Sequence, residues 1–259
     1  MNTNYKGRPF ILYETNWKNI KEFSYTTAIL PWGATEPHNF HLPYGTDIIE
    51  SEFIASSAAE YAWNKGAKVI VLPCIPFGVN IGQINLDFAI NMNPSTQFLV
   101  LKDIVDSLSR QAIKKLVIMN SHGGNDFKPM IRELQLLFPA VFVCLINWYK
   151  INSIEKYFDE PGDHAGEMET SMMMKIAPEL ILPLREAGSG KENKFKIQGL
   201  REGLAWAQRD WIKAAPDTGV GNPKLSSKEK GERFLSELQK RIGNFLVEFS
   251  STDTNDLYE

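Results

Sequence analysis

Residues 68–73, which read Lys-Val-Ile-Val-Leu-Pro, predict a short and fully buried β-strand. Four apolar residues follow one another here, without the alternation of a strand that has one face in water. A strand covered on both faces is typical of a parallel sheet between two layers of helices. This stretch therefore favours an α/β fold.

The rest of the chain continues this pattern in both directions. Short strand-like runs alternate with longer amphipathic ones, which predicts parallel βαβ units. We expect one three-layer α/β/α domain over residues 1–259, with a mostly parallel sheet and a disordered tail from about residue 250. The other predicted strands are 25–31, 115–120 and 141–147, and the predicted helices are 47–64, 94–114, 126–138, 165–177 and 226–249.

Composition and charge argue against several classes of partner. The net charge is -3 and the pI about 5.9, so nothing favours nucleic acid or an anionic membrane. No apolar run approaches the roughly 20 residues that cross a bilayer, and the first residues lack the apolar core of a secretory signal. Cys74 and Cys144 lie in apolar, strand-like sequence, which predicts two reduced thiols and a cytoplasmic protein.

All four histidines fall in three short segments that also carry acids and glycines. Imidazole and carboxylate together are the ligand set of Zn²⁺, Mn²⁺ or Fe²⁺. Two segments follow directly after predicted strands, where ligands of α/β sheets bind, and the third must fold over the same edge. The pattern predicts a hydrolase with one or two divalent metal ions. The segments are 36–41 with Asp47 beyond it, 120–125 and 163–169.

The first segment offers two side chains that can share a metal. Pro37 keeps the chain extended, so Glu36 and His38 point to the same face. Asp47 stands at the start of a predicted helix, where it can cap the helix or bridge two metals. His41 can contact a metal ligand from outside the metal shell or simply pack beside Leu42. Both alternatives stay open for Asp47 and for His41.

In the second segment, His122 precedes Gly123 and Gly124, which let the backbone approach a ligand closely. A tight turn that happens to contain a histidine is the simplest alternative. His-Gly-Gly also occurs in the oxyanion loop of lipase-like esterases, but these need a Gly-x-Ser-x-Gly elbow, which this sequence lacks.

In the third segment, Glu167 and Glu169 would lie about 200° apart on a helix, so only one can face the site. Glu167 is three residues past His164, and we expect that pair to converge. Glu169 is expected to bind neighbouring backbone or a ligand histidine from outside the metal shell. A solvated acidic helix start is the alternative for either glutamate.

The three segments together resemble the signatures of the creatininase (creatinine amidohydrolase) family. The resemblance covers residues 10–245 and rests on three ordered motifs. They are Leu-Pro-Trp-Gly-Ala-Thr-Glu-Pro-His at 30–38, Asn-Ser-His-Gly-Gly-Asn at 120–125 and His-Ala-Gly-Glu-Met-Glu-Thr-Ser at 164–171.

The resemblance implies a three-layer domain that assembles as a homohexamer, with one or two divalent metals at the carboxyl edge of the sheet. By motif position, Glu36, His38, Asp47 and His122 match metal ligands, and Asp47 matches the one that bridges two ions. His164 matches the family's catalytic histidine.

The chain departs from creatininase at positions that touch metal and substrate. A glutamate ligand of creatininase is replaced here by Gly124, and we expect Glu167 to substitute for it as a ligand and to act in catalysis. Creatininase has tyrosine where Gly123 stands and tryptophan where Glu160 stands, which argues against creatinine as substrate. Trp148 matches a substrate-enclosing tryptophan.

The sequence therefore predicts a metal-dependent amidohydrolase that cleaves a C–N bond, other than a peptide bond, in a small cyclic amide or formamide. A metal-activated water would attack, the amides of Gly123 and Gly124 would stabilise the oxyanion, and His164 would pass a proton to the leaving nitrogen. The alternatives are a non-catalytic, metal-dependent binding protein for a small ligand, a peptidase-like member of the same family, and an α/β protein without metal.

Overall fold

The computed structural model describes residues 6–151 and 154–258. Within them, β1 (Thr27–Trp32), β2 (Val69–Val71), β3 (Lys115–Asn120) and β4 (Phe142–Asn147) form one sheet. The order is β2-β1-β3-β4 and every pair is parallel. Each of the four lies within one or two residues of a predicted strand, so the prediction of a parallel sheet is confirmed.

The carboxyl ends of three strands are aligned at one edge of the sheet. Trp32 pairs with Asn120, and Asn120 pairs with Asn147. The chain therefore leaves β1, β3 and β4 at the same level, and the segments that follow them start side by side.

Helices cover both faces of the sheet, as the continuous apolar strands predicted. The side chains of Ile29 and Val117 pack on one face with the longest helices, and those of Leu30 and Ile118 pack on the other. The prediction of a three-layer α/β/α architecture is confirmed. The helices are α1 (Trp17–Ile20), α2 (Thr46–Asn64), α3 (Pro94–Arg110), α4 (Lys128–Leu137), α5 (Glu167–Ile176), α6 (Gln198–Arg201), α7 (Trp211–Ala214) and α8 (Lys228–Ser251). α2, α5 and α8 form one layer, and α3 and α4 form the other.

Helix bounds differ from the predictions where local chemistry intervenes. α3 ends at Arg110, short of the predicted 114, because Ala112 takes a left-handed conformation with φ 60°. α4 begins at Lys128 because the Asp126 carboxylate accepts a hydrogen bond from the Lys128 amide at 3.2 Å. α8 runs to Ser251, past the predicted start of the disordered tail, and that tail stays a prediction.

Lys115 ties the end of α8 to the start of β3. Its ammonium, on a largely buried side chain, donates to the carbonyl oxygens of Phe249 at 2.8 Å and Ser250 at 3.0 Å. These carbonyls have no partner inside the helix, so the lysine satisfies them and complements the helix dipole.

In the residues that the structure describes, no helix is long and apolar enough to cross a membrane.

We expect Gly231→Ala to destabilise the fold by about 1–3 kcal/mol, as overpacking typically does. A Cβ on Gly231 in α8 would overlap the carbonyl group of Ser171 in α5. For a chain of this size, the melting temperature should fall by about 2–4 °C per kcal/mol. Gly199→Ala in α6 is the control, because its added Cβ meets Leu204 Cδ2 at an ordinary 3.5 Å. Equal melting temperatures for the two variants would contradict the tight packing of α5 on α8.

Candidate metal centre

The three histidine segments meet at the carboxyl edge of the sheet. The loop after β1 carries Glu36 and His38, the loop after β3 carries His122, and the loop before α5 carries His164. The possible metal-ligand atoms form three overlapping groups, and within each group these atoms lie within 4.8 Å of one another. All the residues are buried. The groups are Glu36 with His38 and His164, Glu36 with Asp47 and His122, and His38 with Asp47 and Glu169.

Backbone carbonyls fix the imidazoles that face this cluster. His38 Nδ1 lies 3.1 Å from the carbonyl oxygen of Glu36, and His122 Nε2 lies 3.1 Å from that of Val79. A carbonyl only accepts, so these nitrogens carry the protons. The opposite nitrogens, His38 Nε2 and His122 Nδ1, therefore point their coordinating positions at the carboxylates.

Asp47 stands between these two imidazoles. Its Oδ1 lies 3.2 Å from His38 Nε2, and its Oδ2 lies 3.2 Å from His122 Nδ1. Oδ2 is buried and accepts no hydrogen bond from any described residue. Glu36 Oε1 lies 2.8 Å from the same His122 nitrogen. Asp47 is not the cap of α2, since the N-cap residue is Gly45 and the Asp47 side chain faces the histidines.

His164 approaches the cluster from the other side. Its Nε2 donates to the carbonyl oxygen of Pro37 at 2.9 Å, and its Nδ1 lies 3.9 Å from Glu36 Oε1. The ring packs on that of His38, with centroids 4.0 Å apart, and stands edge-on to Trp211 at 5.3 Å. The imidazole is held in place while Nδ1 remains open to the site.

The two sides of the cluster bind protons differently. Burial opposes protonation of His38, but Asp47, Glu169 and Glu36 outweigh it and raise the pKa of His38 to about 10. Burial and the nearby His38 lower the pKa of His164. At neutral pH without metal, His38 is therefore cationic, and His164 is a neutral base.

In the structure Glu169, and not Glu167 as the sequence predicted, belongs to the cluster, and we correct that assignment. Glu167 points away from the cluster: its carboxylate accepts from the Glu160 amide at 2.6 Å and is ion-paired with Lys230. Glu169 instead joins His38 and Asp47, and it accepts a hydrogen bond from the Ala165 amide. Burial raises the pKa of Glu169 to about 7.

His41 is buried behind the cluster. Its Nε2 lies 2.9 Å from the hydroxyl oxygen of Thr170, the residue after Glu169 in α5. Burial and the positive charge of His38 lower the pKa of His41 to about 4, so this ring is neutral. Among the described residues, His41 makes no hydrogen bond to a metal-donor residue of the cluster. Its predicted supporting role is limited to contacts through α5.

A cavity of about 610 Å³ opens above the cluster. The predicted substrate contact Trp148 does not line it, which corrects that prediction: the side chain is fully buried, and its indole donates to Ser121 Oγ at 2.6 Å. Two tryptophans that the sequence did not single out, Trp206 and Trp211, line the cavity instead. Arg209 stands 4.6 Å over the Trp211 ring and completes this wall.

Gly123 and Gly124 line the cavity as predicted. A Cβ on Gly123 would meet open space, whereas one on Gly124 would overlap the Val79 carbonyl and the His122 ring. A glutamate at position 124 therefore cannot fit in this backbone arrangement. In residues 6–151 and 154–258, neither glycine amide is bonded to an acceptor, so both can donate to a ligand.

Two buried polar residues belong to the site although no motif indicated them. Gln83, in the loop between β2 and α3, donates from its side-chain amide to Glu36 Oε2. Glu50, one turn after Asp47 in α2, is fully buried, and neither of its carboxylate oxygens meets a donor in the described part of the chain. Burial and the charges of Glu169 and Asp47 raise its pKa well above the usual range.

Unusual backbone conformations flank the histidines. Asn39, after His38, has φ 55°, and Ala165, after His164, has φ 49°. A left-handed alanine is strained and persists only where its surroundings hold it. Here the strand-like pairing of His164 with Val220 at 2.8–2.9 Å fixes the loop.

Comparison with known proteins agrees with this geometry. The model of the family described as Creatininase: Creatinine amidohydrolase matches residues 13–246. This chain belongs to the creatininase family. The resemblance seen in the sequence is thereby confirmed, and creatininase-family members are hydrolases.

Individual relatives range from 23% to 44% identity to this chain. A creatininase-family crystal structure from Bacteroides fragilis, provisionally assigned as a creatinine amidohydrolase, is 44% identical and has a TM-score of 0.90, covering 97% of this chain and 99% of that one. The creatinine amidohydrolase of Pseudomonas putida is 24% identical, over 85% of this chain and 88% of its own. A mycofactocin precursor peptide peptidase of Mycolicibacterium smegmatis is 23% identical, over 82% and 80%. Solved creatininases include a Zn-Zn form and a Mn form.

We expect Glu169→Gln to weaken metal binding at this creatininase-family site by on the order of 100-fold or more, since it removes a charged donor. Glu167→Gln, two residues away, should keep the metal content and lower only the melting temperature, because it breaks the pair with Lys230. Metal analysis and thermal unfolding of both variants check this. Loss of metal in Glu167→Gln alone would restore the original prediction.

Proposed function

We propose that this protein is a metal-dependent amidohydrolase that cleaves a C–N bond of a small cyclic amide or formamide. The observation that carries the proposal is the convergence of three imidazoles and three carboxylates on the floor of one cavity. A merely structural role would not keep such a set buried, since each buried charge is costly without a partner.

The donor set fits a divalent cation. The coordinating nitrogens of His38 and His122 face Oδ1 and Oδ2 of Asp47, an arrangement that only a proton or a cation between them stabilises. Glu36, His38 and Asp47 each belong to two of the donor groups, so these residues could serve two neighbouring ions. Mixed imidazole and carboxylate donors suit Zn²⁺, Mn²⁺ or Fe²⁺. Such an ion, when bound, lowers the pKa of water and polarises a carbonyl.

The chain's own groups supply the remaining chemistry. His164, neutral and with Nδ1 open to the cavity, can accept a proton and deliver it to a leaving nitrogen. The amides of Gly123 and Gly124 can donate to an oxygen that gains negative charge during attack. Gly123 and Glu160, where creatininase has aromatic residues, support a substrate other than creatinine.

A peptidase is the second candidate. Relatives 23–25% identical are mycofactocin precursor peptide peptidases, and a cavity with Trp206 and Arg209 at its wall could admit a peptide end. The third candidate is a binding protein that holds a small ligand through the metal without turnover. We further propose, on the family resemblance, that the protein assembles as a homohexamer. We also propose that it is cytoplasmic, because its two cysteines are unpaired.

One experiment separates these candidates. The purified protein is stripped with a chelator, reloaded with Zn²⁺, Mn²⁺ or Fe²⁺, and assayed against lactams, hydantoins, formamides and short peptides. Metal-restored hydrolysis of a cyclic amide or formamide supports the proposal. Cleavage of peptides alone favours the peptidase, and metal-dependent binding without product favours the binding protein. Equal activity in stripped and reloaded protein would refute metal dependence.

Metal uptake should strengthen as pH rises from 6 to 8. The pKa of His38 is raised to about 10 and that of His122 well above its usual range, so both bind protons in the metal-free protein. A metal binds only the neutral rings. For each proton that metal binding releases, the apparent metal affinity rises about tenfold per pH unit while the pH is below the pKa of that ring. Calorimetric titration in buffers of different ionisation enthalpy counts the released protons. An affinity independent of pH would contradict this protonation state.

A further inference from the structure

Ser121 directly follows β3 and lines the cavity. Its side chain falls on the same face as Val117 and Met119, which pack in the core cluster with Trp148. The next residue, His122, turns its ring towards Glu36 and Val79. Ser121 lines the same cavity as His122 and Asp47 but is not itself one of the metal-donor residues.

Trp148 fixes the orientation of this hydroxyl group. The fully buried indole donates to Ser121 Oγ at 2.6 Å, which occupies one lone pair of the oxygen. A serine hydroxyl has one proton besides its two lone pairs. That proton meets no acceptor among the described residues, and Ser121 is one of the residues that line the cavity. A donor is thus held at the cavity wall without a partner.

We propose that Ser121 donates a hydrogen bond to a second carbonyl or carboxylate oxygen of the substrate, one that does not react. The cavity then selects compounds with two carbonyl groups, of which one reaches the donor cluster and the other reaches Ser121. This inference depends on the proposed function for the choice of reacting group. It also gives Trp148, which is not part of the cavity lining, a role through the serine that its indole contacts.

Two matched ligands test the inference through binding, independently of turnover. N-methylsuccinimide and N-methylpyrrolidinone share one five-membered ring, but only the first has a second carbonyl, and neither has an acidic N–H. They are titrated into Zn²⁺-loaded protein, with calorimetry as the readout. We expect the wild type to bind the dicarbonyl compound about 3- to 10-fold more tightly, as one hydrogen bond allows.

Ser121→Ala should abolish that preference while metal content and melting temperature remain close to wild type. Trp148→Phe separates the two possible roles of the serine, because it keeps the hydroxyl and removes the indole donor. The preference should survive in Trp148→Phe and vanish in the double variant. Alternatively, Ser121 only accepts from the indole and thereby holds Trp148 in place. In that case Trp148→Phe would abolish the preference as completely as Ser121→Ala.

A second readout does not depend on the variants folding. The indole N–H resonance of Trp148 should shift downfield when N-methylsuccinimide binds wild-type protein, because a hydroxyl that donates becomes a stronger acceptor. N-methylpyrrolidinone should leave it in place. Equal binding of the two ligands, no binding of either, or an unchanged preference in Ser121→Ala would overturn the inference. Absence of hydrolysis alone would count against the proposed function and not against this site.

Discussion

Asp47→Asn should lose bound metal and turnover together. Asp47 is the carboxylate that both imidazole donors face, with His38 Nε2 and His122 Nδ1 each 3.2 Å from one of its oxygens. The amide keeps the shape but removes the negative charge and turns one oxygen into a donor, which repels a cation. We expect turnover to fall by on the order of 10³-fold or more, because several kcal/mol of charge stabilisation disappear.

Thermal unfolding gives this prediction a readout besides activity. Metal that binds only the folded state raises the melting temperature of the wild type, and this rise should be absent in Asp47→Asn. Asp103→Asn, an exposed aspartate of α3, is the matched control and should keep metal content, metal-induced stabilisation and turnover. An Asp47→Asn protein that retains stoichiometric metal and full activity would refute the role given to the whole cluster.

The strands and the layer architecture could be predicted because they depend on local pattern. Continuous apolar runs gave the four strands, and motifs that follow β1 and β3 had to meet where those strands end in register. Glu36, His38, Asp47 and His122 follow from that argument. Their convergence required only that parallel strands align.

The exchange of Glu167 and Glu169 could not be predicted from helical spacing. The prediction treated residues 165–177 as one helix, in which His164 and Glu167 share a face. Ala165 instead has φ 49°, and α5 begins only at Glu167, so that spacing does not apply. Lys230, far away in the sequence, pairs with the buried Glu167 carboxylate.

Contacts between distant loops account for the other differences. Gln83 reaches Glu36 and Trp211 reaches His164 only because segments remote in sequence fold over the sheet edge. Neither residue carries a local signal. In α2, small residues such as Ala55 and Ala59 are buried because α8 packs closely there, whereas the larger Phe53 is 36% exposed.

His164→Gln should reduce kcat by about 10²- to 10⁴-fold, the usual contribution of a positioned acid–base group. Glutamine can keep the hydrogen bond that Nε2 makes to the Pro37 carbonyl, but it has no nitrogen that takes up a proton at Nδ1. The burial and the neighbouring His38 that lower the pKa of His164 keep it neutral and ready to accept a proton at pH 7. Since His164 is needed to move a proton, metal content and KM should change little.

His41→Gln is the matched control for that measurement. His41 is also buried and neutral, and its Nε2 bonds Thr170 at 2.9 Å, a contact that glutamine can keep. Because His41 does not face the cavity, we expect its kcat to stay within about threefold of wild type, the effect of less than 1 kcal/mol. Steady-state kinetics of both variants with the same metal load decide the point. If His164→Gln retained a tenth of the wild-type kcat, or lost its metal, His164 would be a structural or ligating residue and the proton would have to leave by another group.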